Sequence, residues 1–228
     1  MLQILRLSIC LFALCFVRPL PATDFHATNN RHLGDVVWVE QKALTKRFYF
    51  RVAFPNIETE SWEDRPAPVA IRVFDRASGR QVQTIQDFES ASRVQPDPPK
   101  ALAVLDANFD GYADISIAGS DGGAGPNNTI NFFLFNPRTG HFEFDEALSS
   151  LPQISIEKKT KTVRSAGRGG CCQHSSETFR YVQGKLVQIS SWDESITADG
   201  KWAETTNCRL MRDKMQCKTT RKRTPENY

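Results

Sequence analysis

Residues Asp106-Ala107-Asn108-Phe109-Asp110-Gly111-Tyr112-Ala113-Asp114 carry the strongest pattern in this chain. Oxygen-bearing side chains stand at the first, third, fifth and ninth positions, and Gly111 stands at the sixth. The flanks, Ala101 to Leu105 and Ile115 to Ala118, are apolar or alternating, which is typical of strands rather than helices. We therefore expect this loop to join two β-strands.

The same loop predicts calcium binding. Calcium takes about six to eight oxygen ligands, so a short loop must turn sharply to aim its oxygens inward, and the glycine permits that turn. The predicted ligands are the carbonyl of Tyr112 and the side chains of Asp106, Asn108, Asp110 and Asp114. Ile117 stands where an EF-hand places its glutamate, so the loop is closer to those of integrin-like propeller blades. The alternative is an ordinary Asp/Asn/Gly turn.

The N-terminus predicts export. Arg6 precedes an apolar stretch, Leu7 to Val17, and cleavage is expected after Ala22, so residues 1–22 form the predicted signal peptide. The apolar stretch is shorter than the roughly 20 residues that span a bilayer. We expect a soluble periplasmic or secreted protein without stable membrane insertion.

Charge gives little support for a nucleic-acid partner. Removing Arg6 and Arg18 with the signal peptide leaves 27 basic residues against 26 acidic ones. The rest of the chain is long enough for one hydrophobic core, and we predict a single domain over residues 23–218. Residues 219–228 contain Arg221, Lys222 and Arg223 without an apolar pattern, which predicts a frayed basic tail.

The fold class follows from short apolar stretches separated by turn residues. No convincing helical period occurs after the signal peptide, so the chain is predicted to be all-β. Two turns repeat one design, with Asp75 and Asn136 each followed by a glycine four residues later, and they lie 61 residues apart. This spacing suggests blade-like units. A small or irregular β-propeller is the first expectation and a β-sandwich the second.

Four cysteines follow the signal peptide, namely Cys171, Cys172, Cys208 and Cys217. An exported chain favours disulfides. The favoured pairing joins Cys171 and Cys172 each to one of the other two. A second reading joins Cys208 to Cys217 across a hairpin, and a third makes the four cysteines and His174 a zinc cluster.

Two glycine-rich loops are candidate contact surfaces for a partner. The first, residues 119–128, contains Asp121 and Asn127, and the second, residues 165–174, contains Arg168 and His174. A rigid loop loses less entropy on binding. Catalysis would need carboxylates and a base, for which the sequence offers Glu177, Asp193, Glu194 and His174. Nothing in the sequence places these groups together and no catalytic motif is present, so the chain is predicted not to be an enzyme.

The order of these motifs resembles a family of exported bacterial calcium-binding β-propeller-like proteins. The resemblance covers about residues 100–190 and is carried by Leu105 to Asp114, Phe133 to Phe142, Gly170 to His174 and Tyr181 to Val187. That family includes immunity proteins that inhibit lysozyme-like peptidoglycan hydrolases, some of them associated with bacterium-killing type IV secretion systems. The resemblance implies a periplasmic inhibitor that pushes a loop into the substrate cleft of a hydrolase, on a scaffold held by Ca²⁺. A carbohydrate-binding or adhesion module is the alternative, and an uncharacterised glycosidase is the third hypothesis.

Overall fold

The computed structural model describes residues 33–56, 67–90, 97–122, 127–170 and 172–224. In this part of the chain, fourteen strands form three antiparallel sheets, beside one short α-helix, Glu146–Ser149, and one 3-10 turn, Pro98–Lys100. The all-β prediction is confirmed. The predicted signal peptide lies outside the described residues. The described residues from Leu33 onwards form one compact unit.

Each sheet is a meander, because strands that follow one another in sequence are neighbours in the sheet. The first sheet contains β1 (Val36–Leu44), β2 (Phe48–Pro55), β3 (Ala70–Asp75) and β4 (Gln81–Ile85). The second contains β5 (Leu102–Leu105), β6 (Asp114–Ala118), β7 (Ile130–Asn136) and β8 (His141–Phe144). The third contains β9 (Ser155–Glu157), β10 (Thr162–Arg168), β11 (Gln173–Val182), β12 (Lys185–Ile196), β13 (Trp202–Met211) and β14 (Lys214–Arg223).

The second sheet lies between the other two. Successive side chains of a strand point to opposite faces, and on β7 Phe133 packs with the first sheet while Phe132 packs with the third. Phe133 belongs to a first hydrophobic cluster that also contains Phe50 of β2. Phe132 belongs to a second hydrophobic cluster that also contains Val163 of β10. Burying a side chain of this size stabilises the fold by about 1.5–3 kcal/mol. Both a propeller-like and a sandwich arrangement are compatible with this packing.

The two repeated turns occupy equivalent places in the first and second sheets. Each connects the third strand of its sheet to the fourth, and in each the glycine N–H donates to the carbonyl of the first turn residue, Gly79 to Asp75 and Gly140 to Asn136, both at 2.8 Å. Both glycines have positive φ, +68° and +73°, which glycine adopts without steric cost. The repeat in sequence therefore corresponds to a repeat in structure.

The end of the chain differs from the expected frayed tail. β14 continues to Arg223 and pairs with β13 over its whole length, so Thr219 to Arg223 are strand residues. The prediction failed because it relied on the absence of an apolar pattern. Every residue of β14 is exposed, and such a strand is stabilised by its backbone ladder rather than by a buried face.

The favoured cysteine pairing is wrong. Cys208 and Cys217 face each other on β13 and β14 and form a disulfide with a Cα–Cα distance of 4.0 Å. This was the second of the three readings, and it excludes the zinc cluster, which needed both thiolates. Cys172 is also disulfide-bonded, and Cys171 lies outside the described residues. Among the residues that the structure describes, none forms a helix long and apolar enough to cross a membrane.

Candidate functional site

The loop between β5 and β6, residues 106–114, is here called the acidic loop. As expected it joins two strands, which pair at Leu105 and Asp114. Asp106 shapes its first half, because its two carboxylate oxygens accept hydrogen bonds from the backbone N–H groups of Asp110 at 3.1 Å and Gly111 at 3.0 Å. Gly111 has a φ of +90°, so the predicted sharp turn occurs at this glycine.

Asn108 and Asp110 turn their side chains into the same loop. The amide oxygen of Asn108 accepts from the backbone N–H of Asp110 at 3.1 Å, and Asp110 accepts from the N–H of Tyr112 at 2.8 Å. The Asn108 amide also donates to the second Asp110 oxygen at 2.9 Å. Each of these oxygens has a second lone pair, so accepting an N–H does not exhaust its capacity to bind a cation.

Asp114 is fully buried and has a different role from the other acids. Its Oδ2 accepts from the backbone N–H of Ala107 and its Oδ1 from that of Phe135, both at 2.8 Å. Burial raises its pKa to about 6, the two N–H donors oppose this rise, and the nearby carboxylates of Asp110 and Asp106 add to it. Asp114 therefore ties the acidic loop to β7, and it could reach a cation only through its remaining lone pairs.

The donor set of the acidic loop fits a hard cation. Carboxylate, amide and carbonyl oxygens suit calcium or magnesium better than zinc, which prefers nitrogen and sulfur ligands. The described residues contain no group of three or more His, Cys, Asp or Glu side chains that could hold a metal ion. The predicted calcium set includes three such carboxylates, those of Asp106, Asp110 and Asp114, and the structure does not gather them into a group of this kind, so calcium binding by the loop stays a prediction.

Tyr181 connects the acidic loop to the third sheet, a contact that no sequence motif predicts. Its ring lies edge-to-face against Phe109 of the loop, with ring centroids 6.5 Å apart. Its hydroxyl is buried and has no hydrogen-bond partner among the residues that the structure describes. Burial raises the pKa of this phenol above its usual range, and the carboxylates of Asp145, Asp114 and Asp110 raise it further.

The second candidate region, here called the clamped hairpin, consists of Asn127 from the first glycine-rich loop and residues 168–170 and 172–174 from the second. The side-chain amide of Asn127 bonds both backbone polar groups of Arg168. Its Nδ2 donates to the Arg168 carbonyl at 2.8 Å, and its Oδ1 accepts from the Arg168 N–H at 2.9 Å. Gln153 donates to the same Oδ1 at 3.4 Å. The backbone at Arg168 is thus fixed, while the residue itself is exposed.

The sheet register brings further candidates beside the clamped hairpin. Arg168 pairs with His174, and His174 pairs with Glu194, so these three side chains share one face of the sheet. Asp193 is the neighbour of Glu194 on β12, so its side chain lies on the opposite face of the sheet. The expectation that nothing places His174 and Glu194 together is therefore wrong, because the antiparallel register of β11 and β12 makes them neighbours.

A cleft of about 440 Å³ opens at this place. It is bordered by Asn127, Arg168, His174 and the two acids Asp193 and Glu194. Asp121, the fourth predicted contact residue, is not among the residues that line it. The structure therefore groups three of the four predicted contact residues in one region of the surface.

These features define an all-β protein of three stacked meander sheets with an acidic loop and a clamped hairpin. No protein-family model and no curated protein matches the chain. Among solved structures, the chain is similar to a Xanthomonas protein described as related to a type IV secretion system. The two share 14% sequence identity with a TM-score of 0.57, over 82% of this chain and 96% of that one. At this identity the likeness shows the fold alone.

Proposed function

We propose that this chain is an exported, calcium-stabilised protein that binds and inhibits a lysozyme-like peptidoglycan hydrolase. The observation that carries the proposal is the clamp on Arg168, in which one asparagine holds both backbone polar groups of an exposed arginine. A residue presented in this way suits insertion into a partner, because little conformational entropy is lost when it binds.

The chemistry of the proposed partner complements this presentation. Glycoside hydrolases of the lysozyme type use a pair of carboxylates that flank the scissile bond inside a cleft. A guanidinium forms paired, charge-assisted hydrogen bonds with a carboxylate. Arg168 inserted between such carboxylates would occupy the place of the substrate and neutralise a catalytic acid.

Calcium has a supporting role in this proposal. The acidic loop contacts β11 through Phe109 and Tyr181, and β11 begins at the clamped hairpin. Ca²⁺ bound by Asp106, Asn108, Asp110, Asp114 and the Tyr112 carbonyl would stabilise the folded state by mass action. The ion would hold the scaffold without touching the partner.

Two further observations support a location outside the cytoplasm and a connection with secretion. The disulfide between Cys208 and Cys217 suits an oxidising compartment outside the cytoplasm. The solved structure that shares the fold is described as related to a type IV secretion system. A periplasmic or secreted protein acting in such a system would meet peptidoglycan hydrolases.

A pull-down tests the binding step. Immobilised residues 23–228 are incubated with a panel of purified lysozyme-like hydrolases, in calcium and again in chelator. We expect at least one hydrolase to be retained in calcium and less of it in chelator. Asn127→Ala should weaken retention about tenfold, because it releases the backbone of Arg168 without removing the guanidinium. Retention of no hydrolase by a folded, calcium-binding protein would contradict the proposal.

A further inference from the structure

The third sheet has a face that points away from the core. On β10, Val163 packs into the second hydrophobic cluster, so its neighbour Arg164 points to the other side. Residues that pair across neighbouring strands lie on the same face, so the pairing shows which residues of β11 to β14 share this outer face. One row runs through Ser176, Trp192, Asn207 and Lys218, and the adjacent row runs from Arg164 to Arg209.

This outer face contains a hollow of about 500 Å³. Trp192 lies in it, and three cationic side chains, those of Arg164, Arg209 and Lys218, line it. The other lining residues are hydroxyl, amide, sulfur and apolar residues, so none of the described residues that line the hollow carries a carboxylate. Glu194 shares this face but lies toward the clamped hairpin, opposite His174. The volume is typical of a small-molecule site.

We propose that this hollow binds an acidic saccharide, a sugar chain that carries carboxylate or phosphate groups. The ring of Trp192 offers an apolar platform with a polar edge. Ser176 and Asn207 flank it on the neighbouring strands and can hydrogen-bond sugar hydroxyls. The cations supply the complement to negative charge. Arg164 and Lys218 are four strand spacings apart, roughly 19 Å, so the ligand is an oligomer rather than a single sugar.

Other anionic partners fit this face less well. Single-stranded nucleic acids are bound by several aromatic platforms in succession and by strong positive charge. The described lining of the hollow contains one aromatic side chain, and the chain without its predicted signal peptide has 27 basic and 26 acidic residues. A protein partner would favour an apolar centre with aromatic anchors, whereas hydroxyl and amide groups surround Trp192.

The test measures binding of a fluorescently labelled oligogalacturonate by polarisation, with its methyl ester as the uncharged control of equal length. Trp192→Ala should raise the Kd about tenfold, and Arg209→Gln should raise it about threefold. Trp202→Ala and Arg223→Gln are the matched controls, because these residues pair with each other on the opposite face of the same sheet. Both should leave the Kd unchanged. The methyl ester should bind at least about tenfold more weakly than the acid.

Competitors separate the sources of the negative charge. Displacement of the probe by a phosphorylated oligosaccharide at a concentration at least about tenfold lower than that needed of unlabelled oligogalacturonate of equal length would assign the site to phosphate-bearing sugars. Equal displacement by both would leave the acidic saccharide as the ligand class. Polyphosphate or single-stranded DNA that binds more tightly than either sugar, or equal loss of binding in Trp192→Ala and Trp202→Ala, would overturn the proposal. The assay contains no hydrolase, so its result is independent of the proposed inhibition.

Discussion

Asp114 and Asp110 belong to one motif, yet the structure gives them different tasks. Asp114 is buried and accepts two backbone hydrogen bonds. Asp110 lies in the exposed part of the loop and accepts from Tyr112. The sequence pattern predicted all the acids as equivalent ligands. It could not separate them, because the partner of Asp114 on β7, Phe135, is 21 residues away in the chain.

Alanine substitutions distinguish these two roles. Asp114→Ala should lower the free energy of unfolding by about 3 kcal/mol even in chelator, because two buried N–H groups lose their acceptor. Asp110→Ala should cost about 1 kcal/mol or less in chelator, but should abolish the stabilisation by calcium, which is about 2.7 kcal/mol at about 100 times the Kd.

Denaturant unfolding with calcium and with chelator measures both effects. Asp97→Ala is the matched control, since this exposed carboxylate pairs with Lys100 outside the acidic loop, and it should respond to calcium like the wild type. An unchanged calcium response in Asp110→Ala would remove the acidic loop as the calcium site.

Tyr181 gives a second prediction at the residue scale. Its buried hydroxyl has no hydrogen-bond partner within the described part of the chain, and an unsatisfied buried polar group costs about 1–3 kcal/mol. Tyr181→Phe keeps the ring contact with Phe109 and should stabilise the protein by about 1 kcal/mol. Thermal and denaturant unfolding in chelator measure the change. A loss of stability in this variant would show that the hydroxyl makes a bond after all.

At the scale of elements, the turn of the β13–β14 hairpin explains which cysteines pair. Arg212 and Asp213 form its turn with positive φ angles of +48° and +63°, which is typical of the two-residue turns that connect hairpins. Cys208 and Cys217 lie at equal distances from this turn and are therefore directly opposed. The register alone would have favoured the observed disulfide over the pairing with Cys171 and Cys172.

The same hairpin predicts a local effect of reduction. All of β14 is exposed and contributes no residue to either hydrophobic cluster. The double variant Cys208→Ala/Cys217→Ala should therefore lose amide protection over residues 202–223 while amides of β6 and β7 keep theirs. Hydrogen exchange followed by mass spectrometry resolves the two regions. Equal loss of protection in β7 would mean that the hairpin is part of the cooperative core.

At the scale of the whole molecule, the strand pattern was predictable because each sheet is a sequential meander. The repeated turns at Asp75 and Asn136 predict repeated units, whereas the packing of Phe132 and Phe133 into different hydrophobic clusters is known only from the structure. The grouping of Asn127 with Arg168 was not predictable, because they are 41 residues apart and meet only when the second and third sheets pack. Long-range side-chain contacts of this kind depend on sheet packing, which local pattern does not specify.

The most direct measurement of the central claim is a titration of muramidase activity with residues 23–228 in calcium, against the hydrolases of the panel. The account predicts complete inhibition of one hydrolase near one equivalent. Arg168→Ala should weaken this inhibition at least about tenfold, while Arg80→Ala, an exposed arginine on the first sheet's turn, should not. If every hydrolase kept its full muramidase activity in the presence of an excess of the folded, calcium-loaded protein, the account would be contradicted.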